Sequence, residues 1–139
     1  MIATIEPIVD TLEALETDLD RYEYLIELGD DLAGIGVEEM LNEENYVAGC
    51  QSDVWLTHIL DENKTLQFYA HSDSKLVKGL LHILVEAFSG YQPNDMLNFN
   101  VSSVQKIPLG AQLSMQRQIG MMSVFKKMQY ISKQYTASA

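Results

Sequence analysis

The chain has 139 residues and a mass of 15.7 kDa, the length of one domain, and 47% hydrophobic residues give it apolar surface for a packed core rather than a disordered chain. Twenty acids against nine Lys and Arg leave a net charge of −11, which excludes broad electrostatic binding to nucleic acid or to an anionic membrane. A single cysteine, Cys50, excludes an intramolecular disulfide and a thiolate-rich zinc or iron–sulfur site.

The first residues carry acids, no basic leader and no uninterrupted apolar stretch, and no segment reaches the roughly 20 apolar residues of a membrane span. The expected location is the cytoplasm, where a free thiol survives. Residues 4–17 read as a helix, with Ile5, Ile8, Leu12, Leu15 and then Leu19 at helical spacing. Asp20 and Glu23 resemble a capping box that opens a second helix, ending near Gly29 or Leu32. Gly34 to Gly36 read as a loop, and Glu38–Leu41 as a short acidic turn. This first stretch is strongly acidic: residues 1–50 hold 14 acids and one base, Arg21.

The period then shortens. Val54, Leu56 and Leu60 alternate with Asp53, Trp55 and Thr57, the pattern of a strand. Residues 61–64 form a turn, and a second strand follows with Leu66 and Phe68 on one face, giving an antiparallel hairpin. Asn45–Val47 is a candidate third strand. Ser72 is read as the N-cap of a helix over residues 73–89, closed by Gly90 and apolar on nearly all sides, hence central. Asn94 and Ser103 are read as caps of two short helices, and Pro108 to Gly110 as a connector. Ser114 is read as the cap of a last helix, Met115–Gln134, with an apolar stripe through Met121, Met122, Val124, Phe125, Met128 and Ile131. After Asp95 there are five bases and no acid, so this end offers a mildly basic face beside the acidic first half. With no repeat and no Pro/Ser-rich linker, residues 1–139 are expected to form one α+β domain, a small antiparallel sheet packed against several helices.

Chemistry centres on Cys50. It follows Gly49, which permits unusual backbone angles, and precedes Gln51 and Ser52 between two elements, the setting of a loop tip. A lone cysteine is more often a small buried hydrophobe. The three histidines form no evident dyad with it. His58 lies eight residues up the strand, roughly 26 Å away at about 3.3 Å per residue. His82 belongs to the central helix, and His71 at the end of the second strand is the one that hairpin pairing brings towards Cys50. A hydrolase nucleophile needs a base, a self-resolving redox enzyme needs a second cysteine, and a metal site needs spaced ligands. Thiol exchange needs only a thiolate and a partner's sulfur.

The local sequence then becomes specific. Arg21–Gly29 (RYEYLIELG), Glu44-Asn45 followed by Val47–Trp55 (VAGCQSDVW), Ser72–Leu81 (SDSKLVKGLL) and Leu113–Gly120 (LSMQRQIG) occur in that order. Together they closely resemble the SufE/CsdE family of sulfur-acceptor proteins over roughly residues 18–133. The resemblance implies an α+β fold shared with IscU-type scaffolds. It also implies that Cys50 accepts sulfur as a persulfide from a pyridoxal-phosphate cysteine desulfurase of the SufS/CsdA kind, raises that enzyme's turnover, and passes sulfur to an iron–sulfur scaffold or another acceptor. The cofactor belongs to the partner; none is expected here, and no metal. The family arginine maps onto Arg117, in a segment where Met115-Gln116 replaces the family's Pro-Ser and Ile119 its Asn or Gln. Gly49, Gln51, Trp55, Asp73 and Lys78 are the other candidate supporting or partner-binding residues, and Val47, Trp55 and nearby core residues are expected to shield the sulfur. Two other readings remain: an adaptor that regulates the desulfurase by binding alone, and a stand-alone thiol enzyme such as a peroxidase.

Overall fold

The structure of the chain, a computed structural model, describes residues 2–32, 37–50, 52–105 and 115–137. The order of elements is α1 (Ile2–Ala14), α2 (Asp18–Asp30), α3 (Val37–Met40), β1 (Val54–Leu60), β2 (Leu66–Ser72), α4 (Lys75–Phe88), α5 (Pro93–Asn98), α6 (Val101–Gln105) and α7 (Met115–Ala137). This is the expected α+β architecture.

The strands pair antiparallel in the register Val54↔Ser72 to Leu60↔Leu66. Alternation sends Val54 and Leu56 of β1, and Leu66, Phe68, Ala70 and Ser72 of β2, to the buried face. The candidate third strand is only a bridge, Tyr46 opposite Trp55. It is held by the Val47 amide donating to the Val54 carbonyl and the Leu56 amide to that of Asn45, both at 2.8 Å. Against the sheet lies α4, buried through Leu80, Leu81, Ile83, Leu84, Val85, Ala87 and Phe88, which makes it the centre of the core. Phe125 and Met128 of α7 complete that core, with the Phe88 and Phe125 rings 5.0 Å apart.

Helices α2 and α4 cross closely because both carry glycine at the crossing. A Cβ on Gly79 would stand 2.0 Å from the Leu25 carbonyl oxygen, and one on Gly29 would stand 2.8 Å from the Lys78 Cβ. The sole base of the acidic first half joins α1 to α2. Arg21 donates from Nε to the Leu12 carbonyl at 3.2 Å and from its guanidinium to those of Leu15 and the carboxylate of Asp18. It thus satisfies carbonyls that the end of α1 leaves open.

Several local expectations shift. The cap of α2 is Thr17, whose hydroxyl accepts from the Asp20 amide at 3.1 Å, so Asp20 sits inside the first turn. Leu19 consequently points to solvent at 67% exposure, while Val9 joins Ile5 and Leu12 in the core. The cap of α4 is Ser74 rather than Ser72. Ser72 still belongs to β2, and its hydroxyl is spent on the Asp53 carbonyl at 2.7 Å and on the Ser74 amide. Asn94 and Ser103 lie inside α5 and α6, and Asn100 caps α6 by accepting from the Ser102 amide. The expected features at Gly34–Gly36, at Pro108–Gly110 and at Ser114 lie outside the described residues. Among the described residues no helix is long and apolar enough to cross a membrane.

Candidate functional site

From Asn45 to Cys50 the chain leaves the bridge with β1 and turns, and Ser52 and Asp53 lead into the strand. Gly49 makes the turn with φ +90°, a left-handed angle that strains any residue with a Cβ. It also passes close to α7, where a Cβ at 49 would stand 2.8 Å from the Ser123 hydroxyl. Conformation therefore favours glycine immediately before the cysteine, and a side chain there would also have to displace the Ser123 hydroxyl.

The turn lays Cys50 against α7. Its thiol donates to the Gly120 carbonyl at 3.6 Å, and its side chain packs at the edge of the core. Beneath it lies a cavity of about 90 Å³. That is enough space for a small group beside the thiol. Val54, Val77, Leu80, Leu81, Met121 and Val124 give it apolar walls, and Ser52, Ser74 and Arg117 bring polar groups to it. Three separate elements thus meet at one thiol: β1, the start of α4 and the start of α7.

Half-burial in these walls pushes the Cys50 thiol above its ordinary value. A raised folded-state pKa means that the folded chain holds the thiol proton more tightly than the unfolded chain does. Its contribution to stability is therefore complete below the unfolded thiol's pKa and is lost as pH rises through the folded one. Alkylation of Cys50 is accordingly expected to rise with pH around a midpoint above that of a free cysteine, and to return to the ordinary range in denaturant. Iodoacetamide rates followed by intact mass test this; a folded-state midpoint at or below the free value would contradict burial as the controlling effect.

Arg117 is the cation at this cavity. Its guanidinium donates to the Tyr22 hydroxyl at 3.1 Å and lies over the Tyr22 ring, 5.6 Å from the centroid, so α2 helps hold it there. Trp55 is elsewhere. Strand alternation turns it to the outer face of the hairpin, where it contacts Tyr46 edge-on at 5.8 Å and His71 at 6.0 Å. Of the expected shield, the nearby core residues line the cavity, and Trp55 and Val47 do not. Val54, the neighbour of Trp55, faces the cavity, and Val47 is buried in the core without lining it. His71 pairs with Trp55 rather than approaching Cys50. His58, on the opposite face of β1 from Trp55, bonds Tyr135 at 2.7 Å. Asp73 is exposed just before the cap of α4, and Lys78 is part-buried beside Gly29, neither lining the cavity. Gln51 lies outside the described residues. Among the described residues no group of three or more His, Cys, Asp or Glu side chains is arranged to hold a metal ion.

Two contributors had no assigned role in the sequence. Gly120 ends the Leu113–Gly120 motif, and its carbonyl receives the thiol. Tyr22 sits 95 residues before Arg117, a pairing to which no local pattern points.

The family model described as "SufE: Fe-S metabolism associated domain" matches residues 6–132. An uncharacterized SufE-like protein of Rhizobium etli is 35% identical over 136 residues, covering 95% of this chain and 91% of that one. The sulfur acceptor protein CsdE of Escherichia coli is 30% identical over 119 residues, with 85% and 80% covered. The cysteine desulfuration protein SufE of Wigglesworthia glossinidia brevipalpis is 32% identical over 108 residues, with 77% and 74% covered. A hypothetical protein of Thermus thermophilus, solved in solution, superposes with a TM-score of 0.73 at 16% identity over 96% of each chain, a likeness of fold.

Proposed function

Since the chain belongs to the SufE family, we propose that Cys50 accepts a sulfur atom from a cysteine desulfurase and carries it as a persulfide for iron–sulfur cluster assembly. The observation that carries this reading is the loop thiol seated over a small apolar cavity, with no histidine among the residues that line it.

The exchange balances without an outside oxidant. The Cys50 thiolate attacks the terminal sulfur of a persulfide on the donor, a new S–S bond forms, the donor's S–S bond breaks, and the donor cysteine leaves as a thiolate. Cys50 then holds the moved sulfur until a second thiol or a scaffold takes it by the same chemistry. The added sulfur extends the side chain by about 2 Å, which a cavity of about 90 Å³ accommodates.

Rest and reaction make opposite demands. In the cavity the thiol is protonated and a poor nucleophile, which protects it. Transfer needs a thiolate outside those walls. Docking therefore has to draw the loop tip out, and the same step makes the sulfur reactive only when a partner is present. Arg117, at the cavity and on the α7 side of the thiol, is suited to meet the partner or to favour the emerging thiolate. Trp55, Asp73 and Lys78, away from the cavity, are suited to partner contact or to structure. Pyridoxal phosphate acts on the desulfurase, whose turnover rises as its persulfide is cleared. The compartment proposed is the cytoplasm, where reduced thiols persist.

The test is to incubate the chain with a cysteine desulfurase and L-cysteine and weigh the intact protein. A gain of one sulfur, removed by a reductant, is expected. Raised desulfurase turnover with no mass gain would replace the carrier by an adaptor.

A further inference from the structure

The segment that leads into Cys50 is held from two sides. On the strand side, the Val47 amide donates to the Val54 carbonyl and the Leu56 amide to that of Asn45, while the Tyr46 hydroxyl donates to the Asp53 carboxylate at 3.0 Å across the base of the loop. On the other side lies α7. Gly120 receives the thiol, Ser123 abuts Gly49, and Lys127 donates from Nζ to the carbonyls of both Glu44 and Tyr46 at 2.8 Å. Positions 120, 123 and 127 recur at spacings of three and four, so they share one stripe of the helix, and the loop runs along it. Lys127 differs from its neighbours in bonding two main-chain oxygens, which fixes the path of the backbone itself.

We propose that Lys127 is a positioning residue that clamps the neck of the Cys50 loop to α7, so that the thiol rests in its cavity and only the loop tip moves. Its part in sulfur transfer rests on the carrier reading; the clamp itself does not. The ammonium is the component that matters, since its stem alone offers no donor. A residue at 127 that keeps the stem and loses the donor frees residues 44–46 from α7 and lets the thiol leave the cavity more often.

The experiment needs no desulfurase. Second-order rates of Cys50 alkylation by iodoacetamide are measured by intact mass for the wild type, Lys127→Met and Lys127→Arg, beside thermal melts. Lys127→Met is expected to react at least about tenfold faster, as loss of a charge-assisted hydrogen bond would give, and Lys127→Arg to stay within about twofold of wild type because it keeps donors. Both are expected to melt cooperatively near the wild-type temperature. A wild-type rate in Lys127→Met overturns the clamp, as does equal acceleration in both variants. Loss of the cooperative melt in Lys127→Met also overturns it, since the residue would then serve the whole fold. The carrier reading stands or falls separately, on the desulfurase-dependent mass gain of the wild type.

Discussion

A Cys50→Ser variant is expected to fold normally and to lose desulfurase-dependent sulfur gain by at least about a hundredfold, since a serine hydroxyl at its free pKa is a weak nucleophile. It also cannot hold a sulfur atom as a persulfide. The fold should tolerate the change. Serine is the smaller side chain, and the site is half-buried at the edge of the core rather than within it. Binding and transfer therefore separate in this variant. It should still associate with the desulfurase, and the turnover it induces should fall to that of the enzyme alone. Intact mass reads the first effect and the rate of alanine release the second. Undiminished stimulation by Cys50→Ser would sink the carrier mechanism, because a protein that works by contact alone has no use for the thiol.

The largest effect on stability is expected from Gly79→Ala. Helix propensity alone predicts a gain, since glycine in a helix interior is about 1 kcal/mol worse than alanine. The crossing of α2 and α4 predicts the reverse. The added methyl would stand 2.0 Å from the Leu25 carbonyl oxygen and 2.6 Å from its carbon, both main-chain atoms that no rotamer change can move aside. The helices must separate, at a cost of about 3 kcal/mol for overpacking of this kind. For a chain of this size that lowers the melting temperature by roughly 10 °C. A differential scanning measurement decides by sign alone: a higher melting temperature would mean that the crossing is wider than described. The effect should reach the site as well, because α2 carries Tyr22, which holds Arg117 at the cavity.

What the sequence made legible follows from the range of the forces involved. The apolar surround of Leu80, Leu81, Leu84 and Phe88 marks a central helix, and the alternation through Val54, Leu56, Leu66 and Phe68 marks a hairpin, because each pattern is local and repeats. Caps were less secure. Thr17 and Asp20, or Ser72 and Ser74, are capable acceptors a few residues apart, and the choice is made by what else needs the oxygen. Ser72 is drawn away because its partner in the hairpin, Val54, brings the Asp53 carbonyl within reach. Trp55 shows a signal present but unused: the alternation that buries Val54 and Leu56 already sends Trp55 outward. The cavity was beyond periodicity altogether. Cys50 meets Gly120 across 70 residues, and Lys127 meets Glu44 across 83. The motifs pointed to Cys50 and Arg117 as a pair of interest, but only the folded chain shows one side chain beside the same hollow as the other, and only the folded chain gives Lys127 anything to do.

The closed base of the Cys50 loop sets a limit on distance. Between Val47, bonded to Val54, and Asp53, bonded through its carboxylate to Tyr46 and through its carbonyl to Ser72, the chain has six Cα-to-Cα steps. At about 3.5 Å per step the arc is roughly 21 Å long, so its tip can travel no more than about 10 Å from its base. Sulfur cannot be fetched from the floor of a deep, rigid cleft by so short an arm. A donor that serves this chain must carry its sulfur on a swinging segment of its own, or keep it within about 15 Å of the surface it offers once the cysteine side chain and the S–S bond are added, and the two arms must meet in the space between the proteins.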